Sequence, residues 1–308
     1  MAMSSAPFGQ PTDGERGLAS SAPEHVAEVV RRSWHEFSTW LTQAHLDRTL
    51  DLATTKEFVG QLGSWPHQRT MADLIAEATT GGEIATTPAG PAQPPIDATF
   101  ADIMAAFART QRAISDWLDQ PEWGTDALLP AATPLGRLPL LTALHGTVQQ
   151  LSVAQLALID QPEQANPVLL TAGVIATCDT MGAFAARTNV RGSLALVAPN
   201  TTVATRAADG NWRTLTGSTL PTDYRGPVVT ATLPVLLGIT SGQADVPRLY
   251  RSGDIRVDDL AGLLRLAPAM AEVPGMPSLG AVATATKWVA NTGSLLSRLS
   301  NLGRRPRN

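Results

Sequence analysis

The sequence predicts two units in series, a four-helix bundle followed by a small α+β domain. Three observations carry this prediction. In four separate stretches of the first half, apolar residues recur at three- and four-residue steps, the pattern of amphipathic helices. After Asp160-Gln161-Pro162 that pattern gives way to short alternating runs split by turn residues, the pattern of strands. The chain has 308 residues, 44% of them hydrophobic and 16% charged, which suits two ordinary domains with buried cores.

Residues 1–22 are rich in Ser, Gly, Pro and Ala and predict a loose arm. Pro23 and Glu24 open the first helix, whose stripe is Val26, Val29, Val30, Trp34, Phe37, Trp40 and Leu41. A second helix is predicted over about Arg69–Thr80, with Met71, Leu74, Ile75 and Ala78 inward and Gly81-Gly82 stopping it. Residues 84–96 carry four prolines and form a loop. The third helix spans about Asp97–Asp119 on the stripe Phe100, Ile103, Met104, Phe107, Ile114 and Trp117. Residues 120–136 read as a turn-rich connection. The fourth helix runs over about Leu138–Ile159. Four such helices with two longer connections make a bundle over residues 23–162.

The second domain is predicted over residues 163–272. Residues 167–186 suit one more helix. Gly192–Ala198 and Thr201–Ala207 alternate as strands, Asp209-Gly210-Asn211 is a hairpin turn, and Trp212–Thr216 is the returning strand. Val228–Thr232 is another β-branched run, and Leu233–Thr240 and Asp258–Leu266 read as short helices. Residues 273–308 form a weakly amphipathic basic tail.

Composition narrows the function. A net charge of −4 and a pI near 5.7 exclude the basic footprint of a dedicated nucleic-acid binder. The single cysteine, Cys178, rules out an internal disulfide framework and a cysteine-cluster metal site. It reads as a small buried hydrophobe, with no His or Arg near it in sequence to activate a thiolate. The apolar stretches around 167–178 and 227–239 are about a dozen residues each, short of a membrane span. No secretory h-region stands in the first 23 residues, so the expected compartment is the cytoplasm. No Gly-x-Ser-x-Gly elbow, dinucleotide fingerprint or Walker loop is present.

Two segments of the bundle carry a family resemblance. The first is Gly63-Ser64-Trp65-Pro66-His67-Gln68-Arg69-Thr70-Met71-Ala72-Asp73-Leu74-Ile75-Ala76-Glu77-Ala78. The second is Thr133-Pro134-Leu135-Gly136-Arg137-Leu138-Pro139, followed by Thr147-Val148-Gln149-Gln150-Leu151-Ser152-Val153-Ala154. They resemble signatures of the DinB-like, mycothiol-dependent maleylpyruvate isomerase family. The second half is similar to that family's small domain, itself like sterol carrier proteins, through Leu236-Leu237-Gly238-Ile239-Thr240-Ser241-Gly242 and Arg251-Ser252-Gly253-Asp254. The resemblance spans about residues 24–270. It implies a DinB-like four-helix bundle followed by a sterol-carrier-like α+β domain.

The same resemblance implies a divalent metal, typically zinc, held by one His of the first motif and by a Glu and a His of the second. This chain departs at all three positions, which hold Glu77, Gln150 and Ala154. An amide and a carboxylate do not make a zinc site, which needs three protein ligands and an open position. Asp73 lies one turn before Glu77. The five histidines read as surface or capping residues: His25, His35 and His45 step about 80° apart around a helix, and His145 sits about 140° from Gln150.

The function expected is therefore a non-catalytic family member, with no cofactor, that binds an apolar or thiol-bearing small molecule between its domains or acts as a scaffold. Trp65, Asp73, Glu77 and Gln150 are the candidate pocket residues. Trp34, Trp40, Trp65, Trp117 and Trp123 fall in the first half and supply core packing or an aromatic lining. The alternative is an active mycothiol-dependent isomerase or thiol transferase with a divergent zinc site or none. The tail over 280–308, with Trp288, Leu295, Leu296, Leu299, Arg304, Arg305 and Arg307, is a candidate for peripheral contact with a membrane or a protein.

Overall fold

The structure is a computed structural model and describes residues 7–80, 92–133 and 136–266. The expectations for the tail over 273–308 and for most of the proline-rich loop lie outside the described residues.

The helical half begins with a single turn, α1 (Leu18–Ser21), and a long helix, α2 (Pro23–Leu46). Pro23 stands in the first turn, where its missing N–H costs nothing. Val26, Val30, Trp34, Phe37 and Leu41 are buried as the stripe requires. Two further elements follow, α3 (Leu52–Phe58) and α4 (Met71–Thr79). Thr70 and Asp73 close a reciprocal capping box at the start of α4, and Thr99 and Asp102 do the same for α5 (Phe100–Leu118). After the short α6 (Trp123–Asp126), a two-stranded ribbon of β1 (Pro130–Thr133) and β2 (Gly136–Pro139) leads into α7 (Leu140–Leu158).

The second half opens with α8 (Pro167–Arg187), capped by Asn166, whose side chain accepts from Val168 N at 2.9 Å. A five-stranded sheet follows. Its strands are β3 (Gly192–Ala198), β4 (Thr201–Ala208), β5 (Asn211–Gly217), β6 (Val228–Ala231) and β7 (Ile255–Asp258), in the order β5-β4-β3-β6-β7. All neighbours are antiparallel except β3 and β6. Three short helices, α9 (Leu233–Thr240), α10 (Val246–Ser252) and α11 (Leu260–Arg265), complete the described chain.

The bundle core gathers Trp34, Phe37, Leu41, Phe107, Trp117, Leu144 and Leu151. Trp34 stacks on Phe107 with ring centroids 4.8 Å apart, and its Nε1 donates to Thr147 Oγ1 at 2.9 Å. A second core lies between α8 and the sheet, where Leu170, Val174 and Cys178 meet Leu194, Leu196, Val203 and Val229. Helix α8 thus faces the bundle through α7 on one side and covers β3, β4 and β5 on the other. Gly173 and Gly182 permit this. A Cβ at Gly173 would lie 2.2 Å from Ser152 Oγ, and one at Gly182 2.1 Å from Thr205 Oγ1.

The structure corrects several expectations. Residues 7–22 are not a loose arm from Pro7 onward: Phe8 is fully buried, Leu18 and Ala19 join the core, and Arg16 bridges to Trp212. Composition alone hides this, because the arm is held mainly by hydrogen bonds to distant residues. The connection over 120–136 contains most of a β-ribbon, which its prolines disguised. Elements α3, α10 and β7 were not foreseen, being short and without a full period of apolar residues. The stretch around 167–178 belongs to a 21-residue helix that by length and composition would reach across a membrane, and 61% of that apolar window is buried inside the fold.

Candidate functional site

The motif Gly63–Ala78 folds as a turn leading into α4. Trp65 is buried and its Nε1 donates to Gly60 O at 2.7 Å, so its polar handle is satisfied within the core. Ser64 Oγ shares a hydrogen bond with Thr110 Oγ1 at 2.8 Å, which ties the turn to α5. Asp73 is exposed and spends its carboxylate on Thr70, accepting from Thr70 N at 2.7 Å. Glu77 is half-buried and clasped by Arg69. Nε of Arg69 donates to Glu77 Oε1 at 2.9 Å, and its Nη2 closes the fork on Oε2. Nη1 of the same guanidinium reaches Ala132 O at 3.2 Å. One arginine therefore joins α4 to the ribbon and neutralises the carboxylate.

The second motif builds the ribbon and α7. Thr133 pairs with Gly136, and Thr133 Oγ1 donates to Gly136 O at 2.8 Å. Gly136 has φ +91°, and a Cβ there would sit 2.8 Å from the Arg187 guanidinium carbon. The positive φ is what requires glycine at this corner, since the Arg187 guanidinium is the end of a flexible side chain and could shift. On α7, Gln150 is exposed and Ala154 is buried.

These side chains do not fit a metal. The carboxylate of Glu77 is already paired with a cation, Gln150 turns to solvent, and Ala154 has no donor atom. Among the described residues no group of three His, Cys, Asp or Glu side chains could hold a metal ion. Of the four candidate pocket residues, Trp65 lies in the core, Asp73 caps a helix, Glu77 is in an ion pair and Gln150 faces out.

Sequence reasoning missed a different cluster. His145 is not a surface or capping residue but 2% exposed on α7, while His25, His35, His45 and His67 are exposed. Its Nδ1 lies 3.5 Å from Oδ2 of Asp179, which is fully buried on α8. The other Asp179 oxygen accepts from Leu18 N at 3.1 Å, Trp212 Nε1 at 3.0 Å and Thr214 Oγ1 at 2.7 Å. One carboxylate thereby joins the N-terminal arm, the bundle, α8 and β5. The 140° rotation from Gln150 correctly separated the two faces of α7. It gave no hint of which face was covered, because α8 supplies the cover. Near this cluster the hydroxyls of Thr142 and Thr180 are buried without a hydrogen-bond partner.

Cys178 is fully buried, its Sγ 3.8 Å from Val203 O and 3.9 Å from Leu194 O. Burial, then the neighbouring Asp179 charge, push its thiol far above the ordinary cysteine value. It is an inert core thiol rather than a nucleophile.

Hollows among the described residues include two that draw on none of the four candidates. A cavity of about 30 Å³, room for one water, lies under α8 among Met181, Phe184, Leu194, Thr205 and Leu266. An open groove of about 340 Å³ runs between α9 and α10. Pro234, Val235 and Leu249 give it apolar walls, and Gln243, Asp245, Arg248 and Asp254 a polar rim.

No family model matches the chain, and no curated protein matches it. Among solved structures the chain is similar to the mycothiol-dependent maleylpyruvate isomerase, at 13% identity and a TM-score of 0.35 over 83% of this chain and 96% of that one. A point mutant of the same enzyme gives 14% identity and a TM-score of 0.36 over the same shares. A stereoselective inverting sec-alkylsulfatase from a Pseudomonas species gives 13% identity and a TM-score of 0.27, over 73% of this chain and 32% of that one. Likeness at this level assigns neither a family nor an activity.

Proposed function

We propose that this chain is a protein of the DinB-like, mycothiol-dependent maleylpyruvate isomerase family that has abandoned metal chemistry and binds, rather than transforms, a small apolar or thiol-bearing molecule. The observation that carries the reading is the state of the three positions where the resemblance implies ligands. One holds a carboxylate locked to Arg69, one an exposed amide and one a buried methyl. Chemistry that needs an open metal site has no first set of ligands here, and a fold alone does not confer activity. The groove between α9 and α10 supports the binding half of the reading. Its volume of about 340 Å³ falls within the usual range for small-molecule sites, and it combines apolar walls with a few polar groups.

The test is elemental analysis of the purified full chain by plasma mass spectrometry, with and without added zinc, together with mass spectrometry of an organic extract. The expected result is substoichiometric metal, unchanged by Glu77→Ala, and an organic molecule in the extract. Stoichiometric zinc that disappears in Glu77→Ala overturns the proposal and reinstates a metal-dependent thiol enzyme.

A further inference from the structure

The sheet has two faces. One is covered by α8. The other is covered by the chain's own N-terminal segment, Pro7–Arg16, and by the connection from β5 to β6. Phe8 is the centre of this second layer. Its side chain is fully buried in a small cluster with Ala195, Ala204 and Tyr224, separate from the two main cores. The Tyr224 ring lies 5.5 Å away, and the Arg206 guanidinium stands 4.5 Å over the Phe8 ring. Ala195 and Ala204 are central sheet positions where bulky β-branched side chains are usual. Two methyl-sized residues side by side leave a hollow of the size of one aromatic ring, and Phe8 fills it.

The polar contacts around the ring read the backbone and one distant side chain. Asp223 accepts from two successive amides, Phe8 N at 2.7 Å and Gly9 N at 3.2 Å. Arg206 Nη1 donates to Gly9 O at 2.6 Å, and Arg213 Nη1 to Phe8 O at 3.3 Å. Seven residues on, Glu15 forms a two-pronged pair with Arg213, at 2.7 and 2.9 Å. Each of these partners except the segment itself belongs to the sheet domain. The segment hinges at Gly17, which has φ +56° and lies so close to Trp212 and Asp179 that a Cβ would come within 2.2 Å of both. Beyond the hinge, Leu18 and Ala19 belong to the bundle core.

We propose that the outer face of the sheet is a peptide socket for a segment that carries an aromatic side chain and, seven residues further, a carboxylate, and that Pro7–Arg16 occupies it as a tethered ligand. The tether gives the resident segment an effective concentration on the order of millimolar. A free peptide therefore competes poorly with it until the resident segment is weakened. This socket is separate from the groove between α9 and α10 and does not depend on what that groove binds.

The test uses the full-length chain carrying Phe8→Ala, which empties the hollow and leaves every socket residue in place. The probe is a dye-labelled synthetic peptide of residues 7–16, followed by fluorescence anisotropy. The peptide is expected to bind Phe8→Ala at least about tenfold more tightly than the unaltered protein, the relief expected when a tethered competitor is lost. Peptides with Phe8→Ala or Glu15→Ala are expected to lose most of that binding. Should the Phe8→Ala chain fail to fold, the full-length Glu15→Ala chain carries the same measurement, because it too weakens the segment and spares the socket. Equal affinity of the peptide for altered and unaltered chains, or equal binding by the Phe8→Ala peptide, overturns the proposal.

Discussion

Replacing Asp179 tests the joint between the two halves most directly. The carboxylate is fully buried, and three donors converge on one oxygen, Leu18 N, Trp212 Nε1 and Thr214 Oγ1. Asp179→Ala strips all three of their acceptor at once. A buried donor left without a partner costs about 1–3 kcal/mol, so the sum is about 3–9 kcal/mol before relaxation. Whole domains are stable by only about 5–15 kcal/mol, and single substitutions above about 4–5 kcal/mol are exceptional. The expected loss for Asp179→Ala is therefore at least about 4 kcal/mol. Asp179→Asn keeps an oxygen for the three donors and gives up only the charge-assisted part of their bonds, a loss of about 1–2 kcal/mol. Urea unfolding followed by circular dichroism separates the two. With a slope of about 3 kcal/mol/M, the midpoint of Asp179→Ala falls by more than about 1 M and that of Asp179→Asn by about half as much or less. Equal midpoints for the two variants, or an alanine variant within about 1 kcal/mol of the unaltered protein, would refute the idea that these donors depend on this carboxylate.

Two further predictions concern the arm and the thiol. Hydrogen bonds from the Phe8 and Gly9 amides hold Asp223 below the ordinary carboxylate value; for Glu15, burial pushes the other way and is outweighed by Arg213 and Thr12. Both groups have a depressed folded value, so their hold on the arm is complete above roughly pH 4 and fades as the pH falls below it. Protection from hydrogen exchange at residues 8–16, taken relative to the intrinsic rate at each pH, is expected to fall below that point before protection in α7 does, and a simultaneous fall would contradict this order. Cys178, buried and with its thiol pushed up, is expected to resist alkylation in the folded protein at neutral pH and to react fully in denaturant; rapid labelling of folded protein would mean that α8 leaves the sheet.

Elements with a strong internal period were legible in the sequence. The stripes of α2, α5 and α7 predicted their helices to within a few residues, and the turn residues Asp209-Gly210-Asn211 predicted the β4–β5 hairpin, although Asn211 already belongs to β5 and pairs with Ala208. What escaped was everything that depends on a distant partner. Phe8 reads as one apolar residue in a polar arm until Ala195 and Ala204 provide a hollow for it. The pairing of Glu77 with Arg69 requires the turn that brings a residue eight positions away onto the same carboxylate. His145 looks unremarkable on its own helix, and its character is decided by Asp179, which arrives 34 residues later. The departures from the metal-ligand pattern were visible as letters. Only the geometry shows that an arginine fills the role of cation beside Glu77.

Helix α8 belongs to both halves at once, its one side against α7 and its other against the sheet. A chain cut between residues 162 and 163 would leave the bundle without its lid and the sheet half with a bare wall of Leu169, Ala172, Ala176 and their neighbours. Each fragment is therefore expected to be less stable alone than within the whole chain. The chain divides by sequence pattern into two domains, yet both pack on one shared helix, so they are expected to melt together in calorimetry rather than one after the other.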